Sequence, residues 1–289
     1  MHASEAAEPG LPHSPGTSPR VSVLMPVFNG QRFLPEALDS ICQQIYPDFE
    51  IIAVDDGSTD TTLKILESIR SRDARLRIIR QPQHGGIVAA LNRGMQACSG
   101  EYIARMDADD VALPERLVRQ VSWLDAHPHI AVLGGAVSYI DETGREWGLI
   151  RPCTPRGSLL WSNPLLHPTV MFRSSFIRDY RLWYRERYRY AEDYHLWLQI
   201  SRHGTLDALD EVVLQYRLTS EATRFRHLED VLLATLRVKR DAWRRLGIKP
   251  RLIDLLRYLG EWGLASLPPT WIARLYLALL SRHIRKADQ

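Results

Sequence analysis

Apolar positions along the chain follow two alternating rhythms. Val21-Ser22-Val23-Leu24-Met25-Pro26-Val27 is an almost unbroken apolar run. It predicts a strand buried on both faces, with Pro26 near its end, where a ladder donor is dispensable. Phe33, Leu34, Ala37, Leu38, Ile41, Cys42 and Ile45 then recur at helical spacing and give a helix one apolar face. The cycle repeats. Glu50 to Asp55 predicts a strand, Asp56-Gly57-Ser58 a turn, and Leu63, Leu66 and Ile69 a helix. Leu76 to Ile79 reads as a short strand, and Gly85-Gly86 opens a helix reaching about Ala97. Tyr102 to Met106 is a further strand, and Pro114 starts a helix that carries Leu117, Val121 and Leu124.

Strand and helix thus alternate in steps of roughly 20–30 residues, the spacing of βαβ units. The expected fold class is α/β, a mostly parallel sheet with helices on both faces. Beyond Ile130 the rhythm loosens. Ala131-Val132-Leu133 and Ala136 to Ile140 read as two short strands, with turn signals at Gly134-Gly135 and at Glu142-Thr143-Gly144. That region is expected to be mixed or antiparallel. Tyr190 to His203 predicts a helix and Val212 to Leu218 a strand. From Arg226 onward the pattern is helical, broken at Gly247 to Pro250 and Leu267 to Pro269.

In open α/β sheets, ligands bind beyond the carboxyl ends of the strands. The polar residues of interest stand at those ends: Asn29, Asp55-Asp56, and the run Asp107-Ala108-Asp109-Asp110. Acidic side chains gathered at a sheet edge repel one another unless a cation sits among them. From the acidic run alone, a loop that caps the next helix is an equally open reading. Several other phosphate chemistries are excluded. No GxGxxG follows the first strand, and there is no GxxxxGK[ST]. A calcium EF-hand loop fails because Val111 and Ala112 stand where it needs a polar ligand and a glycine. An all-oxygen cluster suits a hard ion such as Mg²⁺ or Mn²⁺.

Composition adds less. The chain has 289 residues, of which 45% are hydrophobic and 25% charged, the balance of a soluble globular protein. Cys42, Cys98 and Cys153 are scattered and match no zinc spacing, so a reducing, cytoplasmic setting is expected. The first twenty residues lack an apolar core and are rich in Pro, Ser, Gly and Glu. They are expected to be disordered rather than a signal peptide. The net charge of +3 is unevenly spread. From Arg224 to the end, basic residues exceed acidic ones by 8, whereas the rest has an acidic excess of 5. A basic tail suggests an anionic partner surface.

Four motifs in order then carry a resemblance: Pro26-Val27-Phe28-Asn29-Gly30, Val54-Asp55-Asp56-Gly57-Ser58-Thr59-Asp60, Ala89-Ala90-Leu91-Asn92, and Gly100 through Asp110. Together they resemble glycosyltransferase family 2, over about residues 21–220. The resemblance implies a GT-A fold, a Rossmann-like mixed sheet flanked by helices, and inversion at the sugar carbon. It implies that Pro26, Val27 and Asn29 line a nucleotide pocket and that Asp56 hydrogen-bonds the base, for which accepting from a uracil imide N–H is reasonable chemistry. Asp107 would face the ribose, or the metal through water, and Asp109 would ligate Mn²⁺ or Mg²⁺. Asp193, in Ala191-Glu192-Asp193, resembles the family's catalytic base. A helix start favours the ionised form, so a raised pKa there would have to come from burial.

His167 in Leu166-His167-Pro168-Thr169 also matches a family pattern, and Glu192 and Arg217 join it as candidate donor or acceptor contacts. Many relatives place a histidine near the metal after the strand that Tyr216-Arg217-Leu218 resembles. Here Thr219 and Ser220 follow, and no His appears before His227. That departure leaves the third metal ligand undetermined.

The expected organisation is a disordered segment 1–20, a catalytic domain 21–222 and a basic helical C-terminal extension 223–289. In the extension Ile272, Leu275, Tyr276, Leu279 and Leu280 share one helical face, with Arg274, Arg282, Arg285 and Lys286 towards the other side and end. That helix either packs on the domain or lies in a membrane interface. The expected activity is transfer of a sugar from a nucleotide-diphospho-sugar, UDP-linked, to a glycan or lipid-linked acceptor in cell-surface polysaccharide synthesis. A nucleotidyltransferase forming the activated sugar and a catalytically silent nucleotide-sugar-binding module are the rivals. No nucleic-acid partner is expected.

Overall fold

A computed structural model describes residues 18–150, 159–219 and 227–267. Strands β1 (Val21–Val27), β2 (Phe49–Asp55) and β4 (Tyr102–Arg105) are buried along their whole length. Continuous apolar strands need cover on both faces, and they have it. On one face α1 (Leu34–Cys42), α2 (Thr62–Arg70) and α4 (Arg116–Ala126) pack Leu38, Leu66 and Leu117 into one core. On the other, α3 (Ile87–Ala97) and α6 (Glu192–Ile200) pack Leu91 and Trp197 into a second. With β3 (Leu76–Arg80), these strands pair in parallel in the order β3-β2-β1-β4. The chain therefore leaves β1 towards β2 on one side and returns to β4 on the other. The loops after β1 and β4 diverge, which opens a crevice at the carboxyl edge.

The rest of the sheet is mixed, as its irregular pattern predicts. It continues through β8 (Met171–Arg173), β6 (Ile130–Ile140), β9 (Thr205–Arg217) and β5 (Val111–Ala112), with β7 (Glu146–Ile150) paired to β6. Antiparallel pairs join β4 to β8, β8 to β6, β6 to β7 and β5 to β9, whereas β6 and β9 run parallel.

One expectation fails here. Ala131 to Ile140 is a single strand, and Gly134-Gly135 lies inside it. A Cβ on Gly135 would stand 2.6 Å from the Val213 side chain, and one on Gly134 2.9 Å from Leu165. Close approach of neighbours, not a change of direction, accounts for the pair. The turn expected at Glu142-Thr143-Gly144 does form, with Gly144 at φ 84°. The strand expected at Val212 begins earlier, at Thr205, and the helix expected from Tyr190 to His203 is trimmed to α6.

After α5 (Ser174–Asp179) and α6, the extension forms α7 (Leu228–Arg245) and α8 (Leu252–Ala265), separated near Gly247 as the sequence predicts. Tyr188, Tyr194 and Leu198 share a small core with Ala234, Val238 and Ala242 of α7. The expected disorder of the N-terminal segment through residue 17 and the amphipathic helix expected near Ile272 to Leu280 both lie outside the described residues.

Candidate active site

A cleft of about 570 Å³ opens at the carboxyl edge of β1, β2 and β4. Its wall includes Pro26, Val27, Asp56, Asp107, Asp109, His167, Glu192, Asp193 and Arg217. Residues from loops far apart in sequence thus meet in one place. Asn29, expected among them, does not line it. Asn29 has left-handed backbone (φ 49°), and its side-chain oxygen accepts from the Thr59 N–H at 2.9 Å. Its own N–H donates to Ser58 Oγ at 2.9 Å. The residue clips the loop after β1 to the loop after β2 and so shapes the cleft from behind.

Asp56 is buried at the end of β2 and heavily engaged. Its oxygens accept from the backbone N–H groups of Gly85 and Gly86, each at 2.8 Å, and from Gln81 Nε2. His84 Nδ1 stands 2.8 Å away, and the His84 ring stacks on Phe28 with centroids 4.0 Å apart. The Gly85-Gly86 amides are taken up by Asp56, and one expectation changes. A base could bind Asp56 only by displacing Gln81 or His84, because a carboxylate has about four acceptor sites.

Beyond β4, Asp107, Asp109 and Asp110 bring carboxylate oxygens within 4.8 Å of one another. Asp107 is held in a bidentate grip by the buried Arg105 guanidinium, one N–H bond measuring 2.7 Å. Arg105 therefore offsets part of the acidic charge. Asp110, which the sequence marked without a role, is fully buried. One of its oxygens accepts the Arg217 N–H at 2.9 Å, and the other has no partner. Burial, then the neighbouring Asp107 charge, pushes Asp109 up to about 7. Burial, then Asp109 and Asp107, pushes Asp110 well above the carboxylate range. Orphaned buried oxygen in an all-carboxylate set fits a hard divalent ion.

Arg217 turns out to be a strut. Its guanidinium donates to the Asp109 carbonyl at 2.8 Å, the Asp141 carbonyl at 3.0 Å and Glu36 at 2.6 Å, and it lies over the Phe33 ring. Those bonds tie β9, the acidic loop and α1 together and leave little for a substrate.

Opposite the acidic loop, the first turn of α6 presents Glu192 and Asp193. Asn163 Nδ2 donates to Asp193 at 2.7 Å, and the Tyr194 N–H donates to its other oxygen at 2.7 Å. Burial falls on Glu192 instead. One Glu192 oxygen has no partner, and desolvation, then the Asp193 charge, pushes the group up to about 7. His167 sits beneath the cleft, Nε2 2.9 Å from the Tyr184 hydroxyl and edge-on to Trp197. Burial drives its pKa well below the ordinary value, so it is a neutral ring there.

Sequence reasoning missed Asn163, Tyr184, Arg189 and Tyr190. They come from the irregular region, where no period marks a functional position. His227, noticed only as a late histidine, reaches the cleft wall from the start of α7, stacked on Tyr190 at 4.9 Å.

A model of "Glycosyl transferase family 2" matches residues 22–191. An uncharacterized glycosyltransferase of Haemophilus influenzae is 36% identical over 220 residues, spanning 71% of this chain and 67% of the relative. Putative glycosyltransferase EpsE of Bacillus subtilis is 35% identical, over 73% and 77%. Amylovoran biosynthesis glycosyltransferase AmsE of Erwinia amylovora is 32% identical, over 69% and 77%. Among solved structures, S. aureus TarS 1–349 in complex with UDP-GlcNAc superposes with TM-score 0.61 at 20% identity, covering 93% of this chain and 88% of TarS. Mannosyltransferase PcManGT from Pyrobaculum calidifontis, in complex with GDP-Man and Mn²⁺, superposes with TM-score 0.61 at 19% identity, over 93% and 76%. At those identities the likeness shows the fold, and the expected GT-A arrangement with a helical C-terminal part holds.

Proposed function

The chain belongs to glycosyltransferase family 2, and we propose that it is a metal-dependent, inverting enzyme that moves a sugar from a nucleotide-diphospho-sugar, UDP-linked, to a glycan or lipid-linked acceptor in polysaccharide synthesis. The observation that supports this best is the meeting of Asp56, the Asp107–Asp109–Asp110 cluster and Asp193 around one cleft. AmsE, a glycosyltransferase of amylovoran biosynthesis, supports the biosynthetic setting by kinship. The UDP-GlcNAc on TarS and the GDP-Man with Mn²⁺ on PcManGT support the donor class. The proposed catalytic unit is residues 21–222, acting on the cytoplasmic side.

Asp193, oriented by Asn163, takes the proton of the acceptor hydroxyl. The freed oxygen attacks the sugar carbon from the side opposite the nucleotide. The new glycosidic bond forms as the bond to the diphosphate breaks, and the configuration inverts. General base assistance of this kind is worth ~10²–10⁴-fold. Asp109, with Asp107 and Asp110 beside it, would hold a Mn²⁺ or Mg²⁺ that supplies Lewis-acid neutralisation of the departing diphosphate. Pro26 and Val27 form the floor under the nucleotide, and Asp56 takes the base N–H once Gln81 or His84 gives way.

A thermal-shift screen of UDP-GlcNAc, UDP-glucose and GDP-mannose, each with and without Mn²⁺, tests the reading. Stabilisation follows RT ln(1 + [L]/Kd), so even a weak donor registers at millimolar concentration. The expected result is a metal-dependent rise with a UDP-sugar. A flat response to every nucleotide sugar with manganese present would end the proposal.

A further inference from the structure

Helix α8 is amphipathic in the reverse sense. Its charged residues turn inward. Glu261 accepts from Lys239 of α7 at 2.6 and 2.8 Å and from Arg257 at 2.8 Å. Arg257 covers the Trp161 ring at 4.3 Å. Asp254, buried, closes a capping box with Arg251. Its apolar residues turn outward: Leu252, Leu256 and Leu259 are 74%, 56% and 61% exposed, flanked by Ile253, Trp262 and Leu267. A Cβ added at Gly260 or Gly263 would meet nothing within 4 Å. No charged residue interrupts this stripe, whose spacing of four, then three, is that of one helix face.

We propose that this face of α8 lies in the interface of an anionic lipid bilayer. A face of this kind in water is costly, at ~25 cal/mol per Å² of apolar surface, and it marks a contact with an apolar medium. The sequence that continues from α8 is apolar as well. From Trp262 to Ser281 the one charged residue is Arg274. Positive charge then brackets the apolar stretch, with Arg244, Arg245, Lys249 and Arg251 before it and Arg282, Arg285 and Lys286 after it. Apolar stripe plus basic flanks is the pattern that binds anionic headgroups while the stripe enters the acyl boundary. Among the described residues no helix is long and apolar enough to cross a membrane, so α8 lies on the bilayer. Because α8 packs on α7, whose Val231 reaches the cleft wall, the docked cleft would open close to the lipid surface.

The test is flotation of the full chain with vesicles, without any donor, so that failure leaves the proposed transfer activity untouched. Vesicles of phosphatidylethanolamine with phosphatidylglycerol are compared with vesicles of phosphatidylcholine, at low and high salt. The expected result is at least about tenfold stronger binding to the anionic vesicles, weakened by salt. It should fall at least about tenfold in Leu256→Glu/Leu259→Glu, with circular dichroism and melting temperature unchanged. Equal flotation of variant and wild type would overturn the proposal. So would a full-length dimer that Leu256→Glu converts to monomer, because a second copy would then cover the face. A monomer that binds no vesicle would overturn it as well, leaving the chain's own C-terminal segment as the cover.

Discussion

The cleft and the α7–α8 pair handle charge in opposite ways. At the cleft, the carboxyl edge of β1, β2 and β4 and the start of α6 present carboxylates to an opening, and burial, then a neighbouring carboxylate, pushes Asp109 and Glu192 up to about 7. In the helical pair the buried charges are matched, with Lys239 on Glu261 and Arg187 on Asp241, while apolar side chains face out. A region with unmatched buried charge is built to receive something charged. A region with matched buried charge and bare apolar surface is built to rest against something apolar. Under the two proposals, the cleft takes a charged donor with its cation and the outer face of α8 takes an apolar medium.

The contrast can be broken at its strongest point first. Asp193→Asn keeps the shape of the α6 start and removes the base, so turnover should fall by ~10²–10⁴-fold with little change in melting temperature. Steady-state kinetics beside a thermal melt check both halves, and unaltered turnover would remove Asp193 from the chemistry.

Next comes the matched pair. Lys239→Met strands Glu261 with Arg257 alone and leaves the Trp161 carbonyl without its donor. It should cost about 3 kcal/mol, and the double variant Lys239→Met/Glu261→Met should recover most of that. Urea unfolding of both variants measures the difference. An equal loss in both would show that the pair itself, not the stranded charge, matters.

A similar magnitude, but with a pH signature, is expected from Glu192. Its carboxyl is raised in the fold from the ordinary 4.5 to about 7. The group therefore favours the folded state below its ordinary value, and that contribution is lost as pH rises through about 7. The loss approaches roughly 3 kcal/mol. Glu192→Gln cannot ionise, so between pH 5 and 8 its melting temperature should stay flatter than that of the wild type. Parallel curves would contradict the assignment.

The smallest effect belongs to the outer face of α8. Leu256→Glu, at a position 56% exposed, should change unfolding free energy by less than about 0.5 kcal/mol. A loss of several kcal/mol, read by denaturant melts, would mean that the face is already covered within the chain.

The parallel half of the sheet was legible because burial on both faces leaves strands few polar positions, so the run from Val21 to Val27, broken only by Ser22, admits one interpretation. The acidic loop was legible as well, since Asp107 to Asp110 are adjacent in sequence. Gly134-Gly135 misled because glycine signals both a turn and a close approach, and only the position of Val213 decides between them. Asn29 stands behind the cleft wall, and Arg217 kept its place in that wall but not its expected contacts. The nearest donors and acceptors, Thr59 for one and Glu36 for the other, lie in distant parts of the chain. Asn163 had no signal at all, because an amide in an irregular loop acquires meaning only when Asp193 stands 2.7 Å away.

Local periodicity and the spacing of four short motifs determined the fold class, the family and the identity of the acidic residues, because those depend on residues within one or two turns of each other. Which carboxylate is buried, which arginine is a strut, and which way α8 faces were decided by tertiary contacts. An amphipathic pattern records that a helix has two faces and is silent on which neighbour each face meets, and a pKa depends on every charge and cavity around the group, whatever its distance along the chain.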